Sequence, residues 1–303
     1  MKLRSYQTQA IDQARAAMQR GSNRVLMALP TGAGKTTIAA DTIKKSLGKG
    51  LNVLFLAHRS ELLDQAQQRL QLFGIPSGRI QNGHDVDLKQ PVQVASYQSL
   101  FTRLKPRANL VIVDEAHHSV SDGFLNILKF YDDSFIIGLT ATPYRTDGKP
   151  LGHIYDELVA PVTIPQLIAS GYLVPPVYYA PVQADLSDVS TVAGEYNYRK
   201  LYKAFNHRHL YDGVVSNYTK FAGGKAIVFC VNVQHSKDTA AEFCRQGIAA
   251  EHIDGETPSD QRSAILDKFR SGKTQVLTNV NLFTEGFDVP DISAVILNRA
   301  TKS

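Results

Sequence analysis

Leu29-Pro30-Thr31-Gly32-Ala33-Gly34-Lys35-Thr36 is the stretch on which the fold turns. It follows a short apolar run that starts at Arg24. It opens a helical pattern that runs from Lys35 to Leu47 and stops at Gly48. A glycine-rich turn between a strand and a helix is built to hold phosphate. Glycine leaves the backbone N–H groups uncovered. The helix that begins near Lys35 points the positive end of its dipole at the same place. In that setting Thr31, Gly32, Ala33 and Gly34 wrap phosphate oxygens. Lys35 places a point charge against the β and γ phosphates, and the Thr36 hydroxyl is a magnesium ligand. Leu29 stands where Gly or Ala is usual in such loops. That slot precedes the tight turn, so the grip is unchanged.

Further along, the apolar run Leu110-Val111-Ile112-Val113 ends in Asp114-Glu115-Ala116-His117. A carboxylate that emerges at the end of a buried strand suits magnesium, held directly or through water, and Asp114 takes that part. Glu115 lies one residue on and faces the γ-phosphate side. It is the candidate to orient and deprotonate an attacking water. His117 taken alone reads as a structural histidine. Beside Glu115 it can link the water site to the neighbouring strand end, Thr140-Ala141-Thr142. His118 reads as surface or core and carries no further inference.

The rest of the chain repeats one rhythm. Ala10, Ile11, Ala14, Ala17 and Met18 recur at helical spacing over residues 5–20. Strands are expected at 24–29, 51–57, 91–95, 110–113 and 135–139, with a helix capped by Ser60 between the second and third. Val-, Ile- and Leu-rich strands alternating with helices mean an α/β protein with a parallel sheet covered on both faces. Ligands in such sheets sit at the carboxyl ends of the strands. The Gly-rich loop, Asp114 and Thr140 all fall there. Residues 146–207 break the rhythm with repeated prolines and tyrosines. They read as a connector and accessory segment, with a helix over 197–205 and a loop over 187–195. From Gly224 the pattern resumes, with strands at 225–231, 250–253, 275–279 and 294–297 and helices at 235–246 and 260–270. The expected domains are therefore 1–145, the connector, and 208–303.

Composition limits the alternatives. The chain has 303 residues, of which 43% are hydrophobic and 20% charged, as in a globular protein of two domains. It has no apolar run of the ~20 residues that a membrane span needs. Two cysteines, Cys230 and Cys244, are too few for a disulfide scaffold. A reducing, cytoplasmic setting is expected. Cys230 lies in an apolar run and reads as a small buried hydrophobe. The net charge of +5 leans mildly towards a polyanionic partner.

These pieces, in this order, resemble the superfamily 2 DEAD/DEAH-box helicases, and most closely their RadD-like bacterial and phage branch. Asp114-Glu115-Ala116-His117 followed by Thr140-Ala141-Thr142-Pro143 carries the resemblance. Leu3-Arg4-Ser5-Tyr6-Gln7 is similar to the family's adenine-reading element, with Ser5 where Pro is usual. The match implies that Gln7 reads the adenine edge and that Arg4 or Tyr6 packs on the base. Residues 55–62, 94–100, 227–230 and 278–290 resemble the family's motifs Ia, Ib or Ic, IV and V. Those motifs imply a groove for a nucleic-acid backbone, with Arg59, Ser96, Gln98, Thr257 and Thr278 as donors to phosphate. Gly286 and Asp288 would reach the ATP ribose.

The resemblance also implies two RecA-like P-loop NTPase domains, the second incomplete. ATP and magnesium would sit in the first. Thr140 and Thr142 would couple nucleotide state to movement along nucleic acid, with DNA favoured over RNA. The family's Gln-x-x-Gly-Arg-x-x-Arg element, which supplies an arginine finger, would follow residue 303. Arg299 precedes that slot and does not replace it. Residues 1–303 are therefore expected to bind ATP and nucleic acid but to hydrolyse ATP slowly. Two rival readings share the motifs: the motor of a restriction-enzyme subunit, and an ATP-gated binding module with little turnover.

Overall fold

The computed structural model describes residues 2–102, 105–143, 151–180, 186–192, 195–205, 208–283, 289 and 291–300. The chain divides into two compact units, Met1–Pro176 and Val177–Ser303.

The first unit begins with α1 (Ser5–Gln19), β1 (Arg24–Ala28), α2 (Lys35–Leu47), β2 (Val53–Ala57), α3 (Ser60–Leu72) and β3 (Gly78–Ile80). It continues with β4 (Val92–Ser96), α4 (Tyr97–Thr102), β5 (Leu110–Val113), α5 (Asp122–Phe130), β6 (Phe135–Thr140), β7 (Glu157–Val159) and α6 (Ile164–Ala169). The strands form one sheet in the order β3-β4-β2-β5-β6-β1-β7, and every pairing is parallel. Side chains alternate along each strand, and both faces are covered. Val53, Phe55 and Ala57 of β2 pack with Ile11 of α1, Ile38 of α2 and Leu63 of α3. Leu54 and Leu56 pack on the other face with Leu100 of α4 and Phe124 of α5.

Local chemistry explains most of these elements. The strand and helix starts around the Gly-rich loop lie close to where residue pattern puts them. Ser60 is a correction: it is the first helical residue of α3, not its cap. Its hydroxyl instead accepts from Gln81 Nε2 at 2.7 Å. Inside the stretch read as a connector, β7 pairs with β1, and Leu167 of α6 enters the first core.

The second unit holds a short antiparallel pair, β8 (Thr191–Val192) with β9 (Glu195–Tyr196), which falls in the span read as a loop except for Tyr196 just past its end. Two-residue strands are too short to show alternation. Then come α7 (Tyr198–Phe205), α8 (Arg208–Phe221), β10 (Lys225–Cys230), α9 (Val233–Arg245), β11 (Ala250–Ile253), α10 (Ser259–Arg270), β12 (Val276–Asn279) and β13 (Ile292–Asn298). The parallel sheet runs β11-β12-β10-β13. Val215 of α8 and Phe243 of α9 pack on one face with Val228, and Phe269 of α10 packs on the other with Ile227 and Leu277. Cys230 is fully buried in the first of these clusters, and burial pushes its thiol up to about 12.

His235 opens α9 with no exposed surface, and the Val231 N–H donates to its Nδ1 at 3.2 Å. Burial pulls its pKa from 6.5 down to about 4, against the smaller opposing pull of Asp238. The folded state thus holds the imidazole neutral, whereas the unfolded chain protonates it near 6.5. The stability this confers is full above pH 6.5 and is lost as pH falls towards 4. The loss is on the order of ~3 kcal/mol. Thermal melts at pH 7 and pH 4.5 should show a large downward shift for the wild type. A His235→Asn variant should start less stable and show a clearly smaller shift.

Candidate functional site

Because all strands of the first sheet are parallel, their carboxyl ends form one edge. Along it, in sheet order, lie the ends of β4, β2, β5, β6 and β1. The residues that follow these ends include Gln98, Arg59, Asp114 with Glu115 and His117, Thr142, and the loop at 31–36.

The loop is shaped for an anion. Gly32 and Gly34 have φ of 80° and 83°, a region that side chains disfavour. A Cβ on Gly34 would lie 2.6 Å from Gln7 Nε2, and one on Gly32 would lie 2.7 Å from Leu173 Cδ2. Among the described residues, no protein acceptor meets the N–H groups of Gly32, Gly34, Lys35 or Thr36. They are the uncapped donors of a helix N-terminus. Ala33 differs from its sequence reading. Its N–H donates to the Pro30 carbonyl at 3.0 Å, so it braces the turn and does not face outward.

A support built by α1 holds the loop from behind. The Ala33 carbonyl accepts from Tyr6 Oη at 3.0 Å and from Gln7 Nε2 at 2.9 Å. Gln7 Oε1 accepts from the Arg4 N–H at 2.9 Å. The amide of Gln7 keeps one N–H and one lone pair beyond these bonds, the pair of functions that fits an adenine edge. Arg4 lies 4.1 Å over the Tyr172 ring and donates to Tyr6 Oη at 3.0 Å. Tyr172 was not found by reading the sequence. It is far from Arg4 along the chain, and no local pattern announces the contact.

The acids sit in the middle of the edge. Asp114 follows β5, and its N–H donates to the Leu56 carbonyl at 2.8 Å. Burial, and then the Glu115 charge, raise its pKa from 3.8 to about 6. Lys35 and the Glu115 N–H oppose this but do not win. A half-buried carboxylate short of positive charge fits a hard cation with oxygen ligands. The Thr36 hydroxyl matches the same chemistry. Among the described residues no group of three or more His, Cys, Asp or Glu side chains could hold a metal alone.

Glu115 adopts a left-handed φ of 48°, uncommon for a residue with a side chain. The turn sets its carboxylate 4.0 Å from Lys35 Nζ and 3.5 Å from His117 Nδ1. His117 Nδ1 also lies 3.1 Å from Thr140 Oγ1. That hydroxyl donates to the Thr142 carbonyl at 3.0 Å and accepts from the Thr142 N–H at 3.1 Å. With that proton on the Thr142 carbonyl and the Glu115 carboxylate 3.5 Å away, the arrangement fits the tautomer that donates from Nδ1.

Comparison with known proteins bears on this edge. Residues 1–145 match the family model "Type III restriction enzyme, res subunit", and residues 208–303 match "Helicase conserved C-terminal domain". The chain is 34% identical over 275 residues to a 51.5 kDa protein of a Lactococcus phage, covering 90% of this chain and 58% of that one. It is 32% identical over 326 residues to the putative ATP-dependent helicase IRC3 of Saccharomyces cerevisiae, covering 99% of this chain and 47% of that one. The chain belongs to the superfamily 2 helicases. It spans about half the length of these curated relatives. Its fold is similar to the Pyrococcus furiosus Hef helicase domain, with TM-score 0.62 at 19% identity over 98% of this chain and 90% of that one.

The superfamily 2 motifs named five nucleic-acid donors, and the structure separates them. Arg59 is half-buried and donates from Nε to His58 Nε2 at 3.1 Å. Gln98 is exposed and donates to the His58 carbonyl at 3.1 Å. Both stand at the open edge. Ser96 is a correction. It is buried, its hydroxyl donates to Ser99 Oγ at 2.8 Å, and it accepts from the Ser99 N–H at 3.2 Å. It starts α4 instead of facing outward.

Thr278 is corrected likewise. It has no exposed surface and donates to the Ser236 carbonyl at 2.8 Å. Thr257 donates to Asp254 Oδ1 at 2.9 Å and so closes a turn after β11. Gly286 and Asp288 lie outside the described residues. Arg299 binds Asn281 Oδ1 within the second unit. Among the described residues, no helix is long and apolar enough to cross a membrane.

Proposed function

We propose that this chain is the ATP-driven motor of a nucleic-acid helicase or translocase. The observation that carries the reading is the row of strand ends in the first sheet. Open loop amides, Lys35, Asp114 and Glu115 adjoin His58, Arg59 and Gln98 on one edge. In this reading residues 1–145 carry the nucleotide pocket, 146–207 connect, and 208–303 form the second motor domain. Thr31, Gly32, Gly34, Lys35 and Thr36 hold the phosphates, and Arg4 and Gln7 face the base. Thr36 and Asp114 would hold magnesium, which when bound neutralises charge on the phosphate oxygens.

Glu115 orients a water and takes its proton. His117 fixes the Glu115 carboxylate from one side, and Thr140 and Thr142 fix His117 from the other. Gly286 and Asp288 are proposed at the ribose. DNA is favoured as the track, and two free cysteines suit a reducing, cytoplasmic setting.

Phosphate release from ATP, measured with and without single-stranded DNA and RNA, tests the reading. Stimulation by either polymer supports a motor. ATP binding with no release under any condition supports a gated binding module instead. The match of residues 1–145 to a restriction-enzyme subunit favours one further alternative, the motor of a restriction enzyme. Cleavage of duplex DNA by the whole protein would decide for it.

Backbone recognition predicts binding that weakens steeply with salt and ignores base sequence. Arg59→Ala should weaken binding uniformly across oligonucleotides. It should also flatten the plot of log affinity against log salt by about one unit. Fluorescence anisotropy at several salt concentrations reads both.

A further inference from the structure

We propose that His118, through its ring contacts with His58 and His117, couples the nucleic-acid end of the edge to the nucleotide end. The inference rests on the proposed function and names the coupling element within that site. His118 is a positioning residue.

Three imidazoles form a continuous row of tilted ring contacts, with 51° between the His58 and His118 planes and 42° between those of His118 and His117. The His58 and His118 ring centroids are 4.4 Å apart, and those of His118 and His117 are 4.2 Å apart. The row bridges two strand ends that are neighbours in the sheet, because β2 pairs with β5. At its outer end His58 accepts from Arg59 Nε and, through its carbonyl, from Gln98 Nε2. Those are the two nucleic-acid candidates that the structure leaves at the open edge. At its inner end His117 contacts Glu115 and Thr140.

Geometry makes the row a good transmitter. His117 and His118 belong to one short helical turn, Ala116–His118, entered through the left-handed Glu115. That turn is anchored by Ala116, which is fully buried in the core, and by Ser119, whose hydroxyl donates to the Ala116 carbonyl at 2.5 Å. A shift of His58 therefore meets a ring whose backbone cannot move freely. The side chains of His118 and His117 must answer it, and His117 carries the answer to the Glu115 carboxylate. Phosphate contact at Arg59 draws its guanidinium away from His58 Nε2. The outer ring then loses that bond, which biases it towards a second position. Two ligands that bias one such element affect each other's affinity by the same factor.

The test is an equilibrium cycle. The affinity of a fluorescent, non-hydrolysable ATP analogue with magnesium is measured with and without a saturating oligo-deoxythymidine. In the wild type the oligonucleotide should change nucleotide affinity at least fivefold. In His118→Ala the factor should fall below twofold, while each ligand alone binds within twofold of wild type. His118→Phe, which keeps a ring in the row, should recover at least half of the factor on a logarithmic scale.

Undiminished coupling in His118→Ala overturns the inference. So does a loss of either ligand's own affinity that accounts for the change, since His118 would then merely support one site. Failure of phenylalanine to recover any coupling rejects the row of rings as its carrier. Absence of coupling in the wild type also overturns it, but leaves the nucleotide pocket standing. That pocket falls only if nucleotide binding survives loss of the Lys35 ammonium.

Discussion

Lys35→Ala is expected to weaken ATP binding at least ~100-fold. Its ammonium lies 4.0 Å from a Glu115 carboxylate oxygen, and its side chain is only 13% exposed. At an effective dielectric of about 20, one unit charge at ~4 Å is worth roughly 4 kcal/mol, or about a thousandfold. Solvent and rearrangement reduce that figure but do not remove it. The variant also leaves Asp114 and Glu115 facing the phosphates without the lysine charge, and burial already holds Asp114 up near 6. Loss of Lys35 raises it further, because the lysine is one of the two groups that pull it down.

Lys35→Arg should recover only part of the affinity, because a planar fork replaces a compact charge. The fold should survive, since the loop is braced by Tyr6, Gln7 and Pro30 and not by the lysine. Equilibrium titration with a fluorescent ATP analogue reads the effect. Binding within threefold of wild type would remove Lys35 from the phosphate site.

The same pocket shows what a sequence discloses and what it withholds. The 35–47 helix is legible because its signals are local: a glycine turn before it, apolar residues at helical spacing and a glycine after it. The fold class is legible for a related reason, since strands buried on both faces must be apolar throughout. The short elements are not. Gly78–Ile80 is too brief for any period to register, and α4 covers only six residues.

Orientation at a strand end is also hidden. Ser96 and Thr278 stand at the ends of strands where donors were expected, yet both hydroxyls turn inward to Ser99 and Ser236. Nothing in the residue type distinguishes them from Gln98, which does face out. Contacts between distant segments are the third blind spot. Arg4 on Tyr172 and His58 on His118 arise only when the sheet brings separate turns together.

Glu115→Gln is expected to keep ATP bound while lowering its hydrolysis by ~10²-fold or more, the range for removal of a general base. Glutamine fills the same space. It still offers a carbonyl oxygen towards His117, but it cannot take a proton from water. The substitution acts on Asp114 as well. Glu115 is the second-largest cause of that residue's raised pKa, after burial. Removing its charge lets the Asp114 carboxyl move back towards its ordinary value of 3.8, so more of it is ionised at pH 6 to 7.

An ionised Asp114 holds a cation better, and one repulsive charge near the phosphates is gone. Affinity for ATP with magnesium should therefore be equal to wild type or a few-fold tighter. Its decline as pH falls towards 6 should be shallower. Single-turnover hydrolysis of labelled ATP, alongside equilibrium binding at pH 6 and pH 7.5, reads both effects. His117→Ala should slow hydrolysis less, because it loosens the Glu115 carboxylate without removing it. Hydrolysis within about threefold of wild type in Glu115→Gln would mean that another group activates the water.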